Sequence, residues 1–282
     1  MEDELLRRVY RLLRELTGGR GPRVLYGDAT IVLVYFRAVV CDRPVSWACD
    51  PRHRPRWYEG PWPSASTVSR RRRRDSAQRL LRAVEARLLG APPAPRVSCY
   101  LIDAKPMLVS DYSKDRQAKR GFAYKGFARG YKLYAICDLD RRLVAYHVDS
   151  MNESERTVAA RLIPRARGPG YLVGDAMYDA DHLYRTAAAH GLHLVAPRNR
   201  RGGVGNRPQH PDRLHAIALL ETGNAFGTSL YAARYTIEQY FASLTNRAWG
   251  LKGLPNWVRT LPRVRQWIQA KIILHALAVP TT

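Results

Sequence analysis

The hydrophobic period of this chain changes at Gly90-Ala91-Pro92-Pro93-Ala94-Pro95, and that change argues against one uniform fold. Before it, apolar residues recur at helical spacing. Leu5, Val9, Leu12, Leu13 and Leu16 form a stripe that Gly18-Gly19 ends, and Ile31, Leu33, Val34, Phe36 and Val40 belong to a second helix starting near Asp28. Residues 49–62, rich in Pro, Arg and Trp, read as an irregular connector. Ser64 or Ser66 caps a third helix that carries Arg70, Arg71, Arg72, Arg73 and Arg74 and continues through Leu80, Leu81, Val84 and Leu88. After the change, residues 97–102, 131–137, 143–148, 171–173 and 193–196 are strand candidates. Residues 152–167 and 180–190 are helical, Gly191 closes the latter, and a long helical tail follows. The pattern predicts an α/β protein with a mixed sheet flanked by helices. A helical module is expected over 1–95, and a second domain over 96–282 that includes the C-terminal helices.

The formal net charge is +23 over 282 residues, far more than solubility needs, and such a surface suits a polyanion. A membrane is the competing partner, but no run of about 18 apolar residues exists to span one, and the acidic start resembles no signal peptide. Disorder is excluded by the 46% hydrophobic content and the sixteen tyrosines. Cys41, Cys49, Cys99 and Cys137 lack zinc-site spacing and read as small hydrophobes in a reducing cytoplasm. The arginine-bearing helix fits the second helix of a helix-turn-helix: Ser66 and Thr67 would reach base edges, and Arg70 to Arg74 would meet phosphates. Tyr124, Phe127, Tyr131 and Tyr134, near Lys125, Arg129 and Lys132, are expected to be core rather than a DNA clamp. Trp249 and Trp257 are expected to pack the C-terminal helices, and no histidine pair has metal-ligand spacing.

Three acids stand apart. Asp103 follows the apolar run Cys99-Tyr-Leu-Ile102 and Asp175 follows Tyr171-Leu-Val-Gly174, so each is expected at the carboxyl end of a strand, where α/β sheets bind ligands. If those strands are neighbours, the carboxylates converge and repel, and divalent cations relieve the repulsion. Two Mg²⁺ ions about 3.5–4 Å apart would activate a water or 3′-hydroxyl and stabilise the leaving oxygen of a phosphodiester. The plainer account is that each Asp caps the loop or helix that follows it. Glu238 lies on an expected helix over 230–249, whose apolar face is Ile237, Tyr240, Phe241, Leu244 and Ala248. Tyr231, Arg234, Glu238 and Thr245 share an adjacent face. Arg234 and Glu238 at i and i+4 equally fit an exposed salt bridge contributing about 0.3–0.5 kcal/mol, and spacing alone does not choose between the two.

Tyr231-x2-Arg234-x3-Glu238 resembles the Tyr-x2-Arg-x3-Glu-x6-Lys signature of bacterial insertion-sequence transposases, the broad group that includes insertion-sequence families four and five. Gly174-Asp175-Ala-Met-Tyr178-Asp179-Ala-Asp181 is similar to that family's segment around its second catalytic Asp, and Gly191-Leu-His-Leu-Val-Ala-Pro197-Arg-Asn-Arg200 matches in character. Gly130-Tyr-Lys-Leu-Tyr-Ala-Ile-Cys-Asp138 and Asp149-Ser-Met-Asn152-Glu-Ser-Glu155 fit the intervening strands and loop. The resemblance covers roughly residues 96 to 275. It implies an RNase H-like fold, with Asp103, Asp175 and Glu238 as catalytic acids and ligands of two Mg²⁺ ions, or Mn²⁺ in their place. Tyr231 and Arg234 would lie near DNA phosphates. It further implies a DNA transposase of the bacterial cytoplasm and nucleoid, acting as a homodimer on terminal inverted repeats and double-stranded target DNA. The family's lysine is Thr245 here; Arg247 or Lys252 are the nearby cations that would replace its phosphate contact. That departure keeps a second expectation alive, a domesticated or decayed transposase that binds DNA without cutting it. A third, an RNase H-type nuclease on RNA–DNA hybrids, fits the basic N-terminal module and the Tyr231, Arg234 and Glu238 pattern less well.

Overall fold

In α2 (Asp28–Val40) eleven of thirteen residues are buried, so this helix must be surrounded on all sides rather than lie on a surface. In the computed structural model, which describes residues 2–18, 25–90, 98–124, 126–199 and 208–279, the surrounding elements are mostly helices. They are α1 (Glu2–Leu16), α3 (Val45–Ala48), α4 (Ala65–Arg71), α5 (Asp75–Leu89) and α11 (Leu261–Ala278). The chain forms two units, Met1–Gly90 with Leu244–Thr282, and Ala91–Ser243. The C-terminal helix α11 thus belongs with the N-terminal helices, which differs from the expected 96–282 grouping. Its buried Val264, Trp267, Ile268, Ile272 and Ile273 and its polar ties explain why. Gln269 donates to Glu85 at 2.6 Å, Arg72 donates to Gln266 at 2.6 Å, and the buried Lys271 pairs with Asp42 at 2.8 Å. Of the linker expected at 90–95, only Gly90 lies within the described residues.

The third helix expected in this unit is two helices. Ser64 caps α4 by accepting from the Thr67 amide, and α4 ends at Arg71; a turn over Arg72–Arg74 leads into α5. Two of the arginines point inward. Arg71 pairs with Asp28 at 2.7 Å and donates to the Tyr26 carbonyl, while the Arg72 guanidinium lies 4.4 Å over the Tyr35 ring.

The second unit is a six-stranded mixed sheet: β1 (Ser98–Leu108), β2 (Lys119–Ala123), β3 (Gly126–Asp138), β4 (Leu143–Ser150), β5 (Gly170–Val173) and β6 (Leu192–Val195). The order is β2-β3-β1-β5-β6, with β4 also on β3. Pairings of β3 with β1, β2 and β4 are antiparallel, whereas β1, β5 and β6 run parallel. The parallel pairs need crossovers, supplied by α6 (Glu155–Leu162) and α7 (Asp181–Ala188), whose Val158, Leu162, Leu183 and Tyr184 pack with Tyr100, Ile102, Tyr134, Ile136 and Leu172. α8 (Pro211–Glu221), α9 (Ala225–Ala232) and α10 (Tyr235–Asn246) complete the set. This is the expected mixed sheet flanked by helices. The helix expected over 152–167 stops at Leu162, because Pro164 then permits only a 3-10 turn. The helix expected over 230–249 is broken between α9 and α10. At Ala233-Arg234 the backbone switches to i→i+3 bonds, Arg234 to Tyr231 and Ile237 to Arg234, so Tyr231 and Glu238 sit on different helices.

Candidate functional site

Strand β1 does not end at Asp103 as expected. It continues to Leu108, because β3 pairs with it as far as Leu108↔Gly130. On its other side β5 stops at Val173, paired with Leu101, so Asp103 lies just beyond the shorter neighbour. Continuing the same parallel register sets Ile102 opposite Gly174 and Asp103 opposite Asp175. The two runs flagged in the sequence are therefore adjacent strands, and their acids come level at the open end of β5. Gly174 belongs there because a Cβ would come within 2.7 Å of the Tyr178 ring and 3.0 Å of Ile102.

Each aspartate spends one oxygen on its own backbone. Asp103 Oδ1 accepts from the Ala104 amide at 2.7 Å, and Asp175 Oδ1 accepts from the Met177 amide at 2.8 Å, capping the 3-10 turn Ala176–Tyr178. The capping account is thus realised for Asp175 with one oxygen, while the second oxygen of Asp103 reaches across to Arg234 Nη1 at 3.4 Å. Arg234 Nη2 donates to Glu238 Oε1 at 2.7 Å. A single guanidinium therefore links the β1 acid to the α10 acid, and the Arg234–Glu238 pair is more than a surface i, i+4 bridge.

Burial is the main influence on the aspartates. It pushes Asp103 up to about 6, with the charges of Asp175 and Glu155 adding to the shift while the Ala104 amide and Arg234 oppose it. Asp175 is likewise raised, first by burial and then by Glu155, against the Met177 amide, Arg234 and Lys132. Glu155, in the first turn of α6, and Lys132, on β3, form a 2.6 Å ion pair whose charges act on this cluster, with side chains 17% and 8% exposed. The buried Tyr178 hydroxyl has no hydrogen-bond partner among the described residues, and burial first, then the charges of Glu155, Asp103 and Asp175, hold its pKa far above normal.

Glu155 and Lys132 are the residues that sequence reasoning missed. Glu155 lies inside a matched segment without a role, and Lys132 lies among expected core aromatics; a lysine inside the otherwise apolar strand run 131–137 is the available signal. Tyr231, at the end of α9, is half-buried. Arg70, Arg73, Arg74 and Ser66 are exposed and Thr67 is half-buried, all in the helical unit. Arg247 lies 5.9 Å over the Trp249 ring, and Lys252 is exposed. Trp249 is buried, whereas Trp257 packs on the cluster around Ile31, Val34 and Ala48 rather than on the C-terminal helices, with its indole donating to the Asp42 carbonyl at 3.4 Å. All four cysteines are free thiols, with Cys49 and Cys137 buried. Among the described residues no helix is long and apolar enough to cross a membrane.

Carboxylate oxygens are the donors that Mg²⁺ and Mn²⁺ take, so Asp103, Asp175 and Glu238 suit such an ion in type. Their mutual repulsion calls for a cation, and Arg234 is the one that bridges Asp103 and Glu238. Among the described residues no three His, Cys, Asp or Glu side chains converge closely enough to hold an ion as they stand.

No curated protein matches this sequence. The family model described as the transposase DDE domain matches residues 96–277, well over half of the chain. The mixed sheet flanked by helices is consistent with the RNase H-like architecture that this family implies, and the chain belongs to the transposase DDE domain family.

Proposed function

We propose that this transposase cuts DNA at the terminal inverted repeats of a mobile element and joins the freed 3′-hydroxyl to double-stranded target DNA. The observation that carries the reading is the levelling of Asp103 with Asp175 across β1 and β5, with Glu238 tied in through Arg234. In this reading Asp103, Asp175 and Glu238 are the catalytic acids and hold two Mg²⁺ ions, or Mn²⁺. When bound, the ions supply Lewis-acid stabilisation of the phosphoryl oxygens and a more acidic attacking hydroxyl. Arg234 then turns from the carboxylates to a DNA phosphate, with Tyr231 beside it, and the buried setting of the aspartates keeps bulk water from competing for the phosphodiester.

Ser66, Thr67, Arg70, Arg73 and Arg74 form the DNA-facing part of the 1–95 module, which Arg71 and Arg72 brace from inside. Arg247 and Lys252 add phosphate contacts in place of the lysine that Thr245 replaces. The chain acts as a homodimer, since two element ends must be held together, in the bacterial cytoplasm on the nucleoid.

The test is cleavage of a duplex bearing the element's end. Asp103→Asn, Asp175→Asn and Glu238→Gln are each expected to lower Mg²⁺-dependent cutting about a thousandfold, the rate equivalent of several kcal/mol of charge stabilisation. Wild-type rates in all three would remove the assignment. A second reading, a DNA-binding protein that no longer cuts, is favoured by Thr245 and by the guanidinium bridging Asp103 and Glu238. Its signature is steeply salt-dependent binding with no Mg²⁺-dependent product.

A further inference from the structure

The hairpin β2–β3 has two unlike faces. Gly121 lies against Met151 so closely that a Cβ would come within 2.2 Å of the Met151 carbonyl oxygen, and Ala123 is buried. The opposite face carries Phe122 and Phe127, paired across the strands with ring centroids 6.2 Å apart in an edge-to-face arrangement. They are 57% and 78% exposed, and Tyr124 at the tip is 68% exposed with a positive φ of 37°. Each of the three residues is more than half open to solvent. A row of bare aromatics beside a packed glycine face is the mark of a surface made for a partner.

The support beneath the row is built to hold it still. Arg129 donates to the carbonyls of Ala118 and Ser113 at 2.8 and 2.6 Å, and also to that of Asp115. Tyr131 donates to the Asp115 carboxylate at 2.7 Å, so the loop before β2 is fastened to β3. Rings presented on a braced hairpin lose little freedom when they dock.

Charge identifies the partner. Residues 109–130 contain six Lys or Arg against two Asp, and one of those acids, Asp115, is buried. A second copy of a chain with net charge +23 would be repelled by this surface, whereas a polyanion would be attracted. Aromatic faces bordered by cations are how proteins hold unpaired bases, because every base has a π-face and every nucleotide a phosphate. Rings in a paired duplex are not reachable in this way, so the partner must be a strand with bases out of the stack. We propose that Phe122, Phe127 and Tyr124 stack on unpaired bases where the duplex opens beside the cut. The inference rests on the transposase reading above and adds to it the surface that holds the opened end.

The experiment uses the full chain and a fluorescent oligonucleotide offered single-stranded or fully paired at one salt concentration. Phe122→Ala with Phe127→Ala is expected to weaken single-strand binding about 10- to 100-fold and duplex binding less than about threefold. Phe122→Tyr with Phe127→Tyr, which keeps the rings, is expected to bind as wild type does. The proposal also requires the Ala double variant to lose cutting of paired ends and to regain it when the end is opened beforehand by mismatches. Unchanged single-strand binding, equal loss on both probes, or loss only of self-association in sedimentation would overturn it, the last by assigning the face to a second copy. Asp103→Asn separates this idea from the catalytic one. If wild type and Asp103→Asn cut equally while the Ala variant still loses single-strand binding, the catalytic reading fails and the stacking surface stands.

Discussion

Asp179 and Arg213 meet through contacts of 2.6 and 2.7 Å with side chains 1% and 8% exposed, whereas Asp103 and Arg234 touch once, at 3.4 Å, with side chains 20% and 26% exposed. Both are aspartate–arginine pairs in the sheet unit. Asp179 also accepts from the Asn199 amide and the Tyr184 hydroxyl, so both its oxygens are used, and among the described residues its arginine pairs with no other carboxylate. Burial would raise Asp179, but the Arg213 and Asn199 hydrogen bonds outweigh it and hold the carboxyl below its usual range. At Asp103 the balance is reversed: burial wins, neighbouring acids add to it, and the arginine is shared with Glu238. A pair held by two short contacts secures the chain, and one held by a single long contact to a shared arginine leaves its carboxylate easier to win for another cation.

The largest effect that would break this contrast concerns stability. Asp179→Ala leaves the buried Arg213 cation without its carboxylate, with only the Gln209 amide oxygen to accept from it, and is expected to cost about 3–5 kcal/mol in a urea unfolding series. Because the folded pKa of Asp179 is depressed, the stability it contributes is present above its unfolded value of about 3.9 and is lost as pH falls through the folded one. The wild type should therefore lose stability below about pH 4 more steeply than Asp179→Ala, and parallel curves would show that the pair contributes nothing.

Next in size is Gly174→Ala, expected to cost about 1–3 kcal/mol because the added Cβ meets the Tyr178 ring at 2.7 Å and Ile102 at 3.0 Å. It sharpens the comparison by separating packing from ion pairing one residue before Asp175; an unchanged unfolding midpoint would mean that this turn has room to spare. The smallest effect is expected from Asp103→Asn, whose midpoint should move by less than about 1 kcal/mol, since one long, part-exposed contact is lost and Arg234 retains Glu238. A loss as large as that of Asp179→Ala would make Asp103 a structural anchor and erase the contrast.

Much of this was legible before any coordinates. The apolar stripes marked α1 and α2, the strand runs marked β3, β4, β5 and β6 closely, and the apolar runs before Asp103 and Asp175 picked out the two acids that come level. What escaped has physical causes. β2, Lys-Arg-Gly-Phe-Ala, has too few apolar residues to signal a strand and is held by its pairing with β3. The break at Ala233-Arg234 has no Gly or Pro to announce it. Five consecutive arginines look alike in sequence, yet Arg71 and Arg72 are drawn inward by Asp28, Tyr35 and Gln266, the first two roughly forty residues away and the third 194 away.

By itself the sequence determined the order of elements, the basic character and the acids worth watching, because period, charge and local apolar runs are properties of short stretches. Only the tertiary structure decided that β1 outruns β5 beside Asp103, that Arg234 joins Asp103 to Glu238, and that the paired Glu155 and Lys132 come near enough to act on these acids. It also decided which aromatics are buried and which stand bare on the hairpin. Those outcomes depend on strand register and on pairs of residues far apart in the chain, and no local spacing encodes where distant segments meet.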